Sequence, residues 1–189
     1  VINVGLQETE PTLRKALAIG ADKAIRINIE PKDSSVVAKS ITDYIMDNSY
    51  DLIIAGRESI DYNGGMVPGM ISALTKINFI DKCIDLNISE NSVLASREID
   101  GGMENISTSL PLIIGGQKGL VEENDLKIPN MRGIMMARKK ELLVLDPGDY
   151  SDTLETDNFE KPEPKGEVTL VSPDEIEKLI ELLNKEHKI

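Results

Sequence analysis

Short apolar runs alternate with helix-like segments in the first part of this sequence, and this alternation restricts the possible folds more than any other feature. The run at residues 52–55 has the length and composition of a strand buried on both faces of a sheet. Residues 1–4 read as a buried strand, and residues 24–27 are a further short strand candidate. Parallel strands require crossovers, and helices usually form them. The sequence therefore predicts an α/β fold with a doubly wound, mostly parallel sheet. In such sheets ligands bind beyond the carboxyl ends of the strands.

Helix signals lie between the apolar runs. Pro11 predicts the start of a first helix and Gly20 predicts its end. Ser34 or Ser35 is expected to cap a second helix. The apolar stripe of that second helix is expected to face the sheet, and it consists of Val37, Ile41, Tyr44 and Ile45.

A glycine-bearing loop follows the third apolar run. Gly56 ends the run, Gly64 and Gly65 lie in the loop, and an apolar helical segment begins at Met66. A strand, a glycine loop and a helix start in this order point backbone N–H groups towards an anion, which is usually a phosphate. The loop contains neither of the familiar glycine-rich phosphate motifs. An ordinary turn that binds nothing is the alternative interpretation.

Composition excludes several classes of function. The net charge is −12 and the pI is about 4.6, so neither a nucleic acid nor an anionic membrane surface is an expected partner. No apolar run reaches the roughly 20 residues of a membrane span. The single cysteine, Cys83, and the single histidine, His187 near the end, favour neither a metal site nor a catalytic triad. We therefore predict no catalytic side chain, no metal and no membrane insertion.

The second half begins with a hairpin pattern. Residues 92–99 alternate with period two, Asp100, Gly101 and Gly102 form a turn signal, and residues 103–110 return. Another buried strand is expected at 111–115, and a polar loop at 116–131. We place the α/β domain at residues 1–149.

The last part of the chain, residues 150–189, reads as an extended arm that ends in a helix. Ser172 and Pro173 open a capping box that predicts the helix start. The helix has one apolar stripe, which a partner subunit is a candidate to cover: Ile176, Leu179, Ile180 and Leu183. The chain starts at Val1 without a signal peptide, and we expect that the beginning of the protein is missing.

Four motifs in order give this sequence a family resemblance. They are residues 13–22 (LRKALAIGAD), 56–61 (GRESID), 97–102 (REIDGG) with Glu104, Leu110 and Pro111, and 128–130 (IPN) followed by the basic run at 138–140. The chain resembles the beta subunit of the electron transfer flavoproteins over essentially its whole length. The resemblance implies an adenine-nucleotide alpha-hydrolase-like fold that lacks its N-terminal strand unit here. It also implies that the C-terminal arm packs on an alpha subunit.

The family resemblance implies an electron-carrier function. Members form a heterodimer whose alpha subunit holds most of the FAD, accept electrons from acyl-CoA-type dehydrogenases, and pass them to a quinone-linked oxidoreductase. The beta subunit holds AMP as a structural nucleotide. In the electron-bifurcating members, a second FAD that NADH reduces occupies this pocket, and this class stays open here. A nucleotide-binding module of the universal-stress type is a further alternative. The implied location is the cytoplasm in bacteria and the mitochondrial matrix in eukaryotes.

The resemblance also assigns site residues. The nucleotide contacts it implies are Val4, Gly56, Ser59, Asp61, Asn63, Gly64, Gly65, Met66 and Val67. Met66 and Val67 stand where relatives often have Gln and Thr or Val, so contacts made by the Gln do not carry over. Asp61 is at least as suited to fixing the loop as to touching phosphate, because like charges repel. The segment implied to dock a partner is Ile128, Pro129 and Asn130, and the run Arg138, Lys139 and Lys140 is interpreted as local steering or internal pairing.

Overall fold

A computed structural model describes residues 1–60 and 63–187. Its strands are β1 (Ile2–Val4), β2 (Ala24–Ile27), β3 (Leu52–Gly56), β4 (Asn78–Ser89), β5 (Ser92–Ile99), β6 (Gly102–Ser109), β7 (Leu112–Gly116) and β8 (Leu142–Leu145). Its helices are α1 (Glu10–Ile19), α2 (Ser34–Asp47), α3 (Val67–Thr75), α4 (Met131–Ala137) and α5 (Ile176–His187). The alternation of strands and helices in the first part confirms the predicted α/β class. No helix within these residues combines the length and apolar character that crossing a bilayer requires.

The strands form two sheets. One has the order β1-β2-β8 and is parallel, and the other has the order β3-β7-β4-β5-β6. In the second sheet β3, β7 and β4 run parallel, and β5 and β6 continue it as an antiparallel hairpin. The mostly parallel architecture and the hairpin are as predicted. The division into two sheets was not, because an apolar run indicates burial but not which strands share hydrogen bonds.

A groove separates the two sheets. β1 and β3 are the end strands that flank it, and its volume is about 390 Å³. Ile2 and Ile25 line one side and Leu52 lines the other, while Tyr44 of α2 also contributes. Ile54 of β3 is 63% exposed although its run reads as fully buried. The edge of β3 therefore lacks the cover that its sequence predicts.

Strand β7 organises the core of the larger sheet. Leu112 and Ile114 are fully buried on one face with Cys83. Ile113, also fully buried, points to the opposite face, where Ile71 of α3 packs against it. Residues that alternate along a strand point to opposite faces, so β7 is covered on both sides. This arrangement explains the continuous apolar run of its sequence.

The cap of α2 corrects one prediction. Neither Ser34 nor Ser35 caps the helix: the cap is Asp33, whose side chain accepts hydrogen bonds from the backbone N–H groups of Ser35 and Val36. A carboxylate has two oxygens available for such bonds and complements the positive end of the helix dipole. The predicted stripe faces the sheet only in part: Ile45 and the half-buried Ile41 pack in the core cluster that contains Ile113 of β7. Of that stripe only Ile45 is buried, and the other buried positions are Val36, Ala38, Ser40 and Thr42.

Helix α4 packs closely on α1, and no helix signal in the sequence predicted it. Asn130 caps α4 by accepting a hydrogen bond of 2.8 Å from the backbone N–H of Gly133. A Cβ atom at Gly133 would lie 2.5 Å from the carbonyl oxygen of Ala18 in α1. The position therefore requires glycine because of the close approach of two helix backbones, not because of an unusual φ.

Replacing Gly133 with alanine is expected to lower the free energy of unfolding by about 1–2 kcal/mol, because the added methyl group forces α4 away from a backbone atom of α1. Urea denaturation measures this loss. Gly166→Ala is the control, since a Cβ there meets no atom within 4 Å. Equal stabilities of the two variants would contradict the close packing.

The chain divides into a unit of Val1–Glu155 and a second unit of Thr156–Ile189. The first unit therefore includes residues 150–155 of the predicted arm. In the second unit, within the described residues, 156–171 form no helix or strand. Helix α5 starts at Ile176 instead of Pro173, because Ser172 forms a turn in which its carbonyl accepts from Glu175 N–H. The four residues of the predicted stripe stay 37–63% exposed. The roles of the two parts stay predictions.

Candidate functional site

The loop after β3 closes on itself. The backbone N–H of Ser59 donates a hydrogen bond of 2.8 Å to the carbonyl of Gly64, and the two residues form an isolated antiparallel bridge. Asn63 has a φ of 52°, a left-handed conformation that asparagine tolerates better than most residues. Asp61 lies outside the described residues. The bridge thus closes the turn by joining Ser59 to Gly64, with Asn63 next to Gly64 in the chain.

The end of the loop brings backbone close to backbone. A Cβ atom at Gly65 would lie 3.1 Å from the carbonyl oxygen of Arg57. Met66, 57% exposed, precedes α3 and provides no side-chain cap. Val67 and Pro68 then begin the helix, and Pro68 contributes no N–H donor. The N–H groups of the first turn available to an anion are therefore fewer than in an ordinary helix start.

A cavity of about 330 Å³ lies beside this loop, at the carboxyl ends of β3 and β7. Of the predicted site residues, Gly65 lines this cavity. Arg57 and Lys82 are the positively charged residues in its lining. Lys82 lies in a bulge of β4 between Ile80 and Cys83, with a φ of 47°. Bulges often re-aim side chains near functional sites. Sequence reasoning missed Lys82 because no local pattern marks the bulge.

The carboxylates at this cavity are paired. Glu58 forms an ion pair with Arg57, and Asp81 forms one with Arg97 of the hairpin. Lys82 adds a further positive charge to the lining. An anion is therefore electrostatically acceptable here although the whole chain carries a charge of −12. A volume near 330 Å³ is at the lower end for small-molecule sites, which begin at about 300 Å³.

Val4 lies apart from the loop cavity. It is buried at the end of β1 in the three-stranded sheet, whereas the loop follows the end strand of the other sheet. Both positions are at carboxyl ends of strands, as predicted. Among the described residues, the cavity that contains Gly65 does not include Val4. The geometry thus joins Ser59 to Gly64, places Gly65 at the cavity and leaves Val4 on the other side of the groove.

Gln117 links the loop to the hairpin. Arg57 donates a hydrogen bond of 3.0 Å to the Gln117 side-chain oxygen, and the Gln117 amide nitrogen donates one of 2.7 Å to Glu98. The backbone N–H of Gln117 donates to the carbonyl of Cys83 and fixes its position. Two sequence motifs that are far apart in the chain are therefore joined by one side chain, which the sequence pattern did not identify.

The hairpin is tied to β4 by Arg97. This residue pairs with Asp81 and, across the hairpin, donates a hydrogen bond of 2.6 Å to Glu104. These two carboxylates raise the pKa of Arg97, with Glu104 contributing most.

Cys83 of β4 is fully buried, and burial raises the pKa of its thiol. The cysteine is thus a core residue, as predicted.

Replacing Gln117 with leucine is expected to uncouple the loop from the hairpin and to cost about 1 kcal/mol of stability, because Arg57 and Glu98 both lose a partner. Hydrogen–deuterium exchange should become faster in residues 57–66 and 97–103 together. Gln7→Leu, at an exposed position, is the control. Faster exchange in only one of the two segments would argue against the coupling.

The predicted docking segment presents one large apolar side chain to solvent. Ile128 is 83% exposed, and Leu126 two residues earlier is 57% exposed. Pro129 is half-buried, and the Asn130 side chain caps α4. Asn130 therefore positions the segment through the helix, and Ile128 is the member that is free of the protein core. Lys140 from the basic run is half-buried and donates to the carbonyls of Leu17 in α1 and of Ala21 just beyond it, so this residue is paired internally.

Similarity to known proteins covers most of the chain. Residues 1–149 match the family model described as the electron transfer flavoprotein domain. The chain belongs to the electron transfer flavoprotein family. This membership confirms the resemblance that four sequence motifs indicated, including the loop and hairpin motifs that Gln117 connects.

Three relatives of this electron transfer flavoprotein chain are named as beta subunits. The electron transfer flavoprotein subunit beta of Bacillus subtilis is 34% identical over 202 residues, which cover 100% of this chain and 77% of the relative. The probable subunit beta of Schizosaccharomyces pombe is 31% identical over 157 residues, 82% of this chain and 61% of the relative. The mitochondrial subunit beta of Oryza sativa subsp. indica is 30% identical over 200 residues, 98% and 75% respectively. The chain thus spans about three-fifths to three-quarters of the length of these relatives.

Proposed function

We propose that this beta subunit forms, with an alpha subunit, an FAD-containing heterodimer that carries electrons from acyl-CoA-type dehydrogenases to a quinone-linked oxidoreductase. One observation carries the proposal. Gln117 forms hydrogen bonds to both the loop motif and the hairpin motif of the family, and these motifs meet beside the loop cavity. FAD, held by or shared with the alpha subunit, supplies the electron-transfer chemistry. The residues of this chain position partners and nucleotide, and no side chain is assigned a catalytic role.

The nucleotide that this chain binds is proposed to be AMP, in a structural role. Its phosphate is proposed to occupy the loop cavity, where Gly65 has no side chain to exclude it and Lys82 adds positive charge beside the paired Arg57. The other residues proposed to contact it are Val4, Gly56, Ser59, Asp61, Asn63, Gly64, Met66 and Val67. Val4 approaches from the opposite side of the groove and would contact a different part of the nucleotide.

Two further surfaces are proposed to bind partners. The arm and helix at residues 150–189 pack on the alpha subunit, which would cover the exposed stripe of α5. The segment of Ile128, Pro129 and Asn130 docks the dehydrogenase, and the exposed Ile128 supports this role. The proposed compartment is the cytoplasm in bacteria, or the mitochondrial matrix if the source is eukaryotic.

Co-purification with the alpha subunit tests the proposal. Extraction of the heterodimer is expected to release one AMP and one FAD. Two flavins per heterodimer, measured by absorbance, would instead support the electron-bifurcating class. Recovery of a stable homodimer without an alpha subunit would favour a universal-stress-type module.

Lys82→Gln is expected to weaken AMP binding about tenfold, because it removes a positive charge from the cavity. Calorimetric titration of the nucleotide-stripped heterodimer measures this affinity. Lys118→Gln, at an exposed lysine that does not line this cavity, is the matched control. Equal affinities of the two variants would place the phosphate elsewhere.

A further inference from the structure

A second cavity, of about 610 Å³, lies between α1 and α4. Its apolar walls include Ala18 of α1, Pro129 of the docking segment and Ile134 of α4. The buried Ala137 closes its floor. This cavity shares no residue with the loop cavity beside Gly65. It is nearly twice as large, and the proposed function leaves it unused.

Reciprocal hydrogen bonds hold the two walls together. Arg14 of α1 donates bonds of 2.9 and 2.8 Å to the carbonyls of Ala137 and Lys140 at the end of α4. Lys140 in turn donates bonds of 3.1 and 2.6 Å to the carbonyls of Leu17 and Ala21 at the end of α1. Each cation thus binds one carbonyl in the last turn of a helix, Ala137 or Leu17, and one carbonyl just beyond that helix, Lys140 or Ala21. The cavity is therefore formed before any ligand binds, and binding carries little cost for ordering its walls.

Among the described residues, the charged side chains that line this cavity have one sign. Its charged lining residues are Arg14, Lys15 and Arg138, all cationic, in a chain with 33 acidic and 21 basic residues. Lys15 and Arg138 are exposed and stand at its rim. Apolar walls with a cationic rim are complementary to a ligand that carries an apolar group beside carboxylates.

The position of the cavity indicates what occupies it. Pro129 forms part of its wall, and the neighbouring Ile128 is the exposed side chain of the docking segment. A protein bound at Ile128 therefore lies directly beside the cavity. We propose that the cavity receives an acidic, apolar segment of the dehydrogenase that docks on Ile128. Docking is then two-way, since each protein inserts an apolar group into the other. This inference rests on the proposed function.

Charge reversal at the rim tests the inference. The double variant Lys15→Glu/Arg138→Glu of the heterodimer is expected to bind an acyl-CoA-type dehydrogenase at least tenfold more weakly and to lose most of the salt dependence of association. Ala18→Met, which fills the cavity without changing charge, is expected to raise the dissociation rate. Lys118→Glu is the matched control, because it makes the same charge change away from this cavity. Circular dichroism verifies that each variant is folded.

The outcomes separate the inference from the proposed function. If Ile128→Ala weakens binding and the rim and cavity variants do not, docking stands and the two-way contact is overturned. If none of these variants weakens binding, both are overturned. Titration with decanoate provides a second readout. Binding of decanoate that the double variant abolishes, together with unchanged dehydrogenase affinity, would show that the cavity serves a small amphipathic acid and not a protein segment.

Discussion

Replacing Asp33 with alanine is expected to lower the free energy of unfolding by about 3 kcal/mol, the largest loss of stability predicted for this chain. One carboxylate oxygen accepts bonds from the N–H groups of Ser35 and Val36 at the start of α2. The other accepts from the N–H and hydroxyl of Thr153 and from the N–H of Leu154. Because Asp33 is buried, its loss leaves several donors without a partner.

The contribution of Asp33 depends on pH. The Thr153 hydroxyl bond, followed by the backbone N–H bonds, holds the pKa of Asp33 well below its usual range despite the opposing effect of burial. A carboxyl group with a lowered folded-state pKa stabilises fully above its unfolded pKa of about 4, and this stabilisation is lost as the pH falls towards the folded value. The stability difference between the native chain and Asp33→Asn should therefore shrink between pH 5 and pH 2.

Urea denaturation at several pH values measures both effects. Asp47→Asn is the matched control, since Asp47 is exposed at the other end of α2. There a carboxylate opposes the helix dipole, so its removal should change the stability by less than about 0.5 kcal/mol. If the stability difference between the native chain and Asp33→Asn stays constant down to pH 2, the ionised Asp33 carboxylate does not attach residues 153–154 to α2 as described.

Tyr150 strengthens the same attachment. Its hydroxyl donates to the carboxylate of Asp43 on α2, and burial and this neighbouring carboxylate raise the pKa of Tyr150 to about 12. Asp33 and Asp43 together fasten residues 150–154 to one helix. The first residues of the predicted arm are therefore held against α2.

Replacing Ile128 with alanine is expected to raise the Kd of the heterodimer for an acyl-CoA-type dehydrogenase about 30-fold, or about 2 kcal/mol. An exposed apolar side chain that enters a partner's pocket contributes in this way because it leaves water only in the complex. Stability should stay unchanged, since Ile128 is 83% exposed in the chain by itself. Surface plasmon resonance measures the affinity, and steady-state electron transfer provides an independent readout.

Leu126→Ala provides the matched control for Ile128. Leu126 is an exposed apolar residue of the same loop, and it lies outside the docking segment. Its removal should change the affinity less than threefold, which is under about 0.7 kcal/mol. Equal losses at both positions would indicate general loop hydrophobicity instead of a specific anchor at Ile128.

The sequence predicted those parts of the fold that local patterns encode. The strands at 24–27 and 112–116 were predictable because most of their side chains are apolar and both of their faces are covered, although 24–27 also contains the buried Arg26. The turn at Gly101 has a φ of 85°, which glycine adopts without strain, so the hairpin was readable. Helix α4 was not, since its seven residues include Gly133 and three exposed methionines. Such a helix is stabilised by packing on α1 and not by its own propensity.

The candidate site shows the same division. The loop from Gly56 to Val67 was found because a strand, glycines and a helix start follow one another along the chain. Lys82 and Gln117 were not found, because a bulge and a hydrogen bond between distant segments bring them to the loop. No local pattern records either event. The nucleotide contacts themselves stay predictions.

The sequence by itself determined the alternation of strands and helices, the glycine loop, the hairpin and the family to which these motifs belong. Each depends on residues close together in the chain, where backbone preference and burial pattern act directly. Only the tertiary structure decided the two sheets, the attachment of Thr153 to Asp33 and the cationic cavity between α1 and α4. The last two depend on contacts across more than a hundred residues, between Asp33 and Thr153 and between Arg14 and Lys140, and the smaller sheet depends on the equally distant pairing of β2 with β8. A contact of that kind is fixed by how the elements pack, and the order of residues along the chain does not specify it.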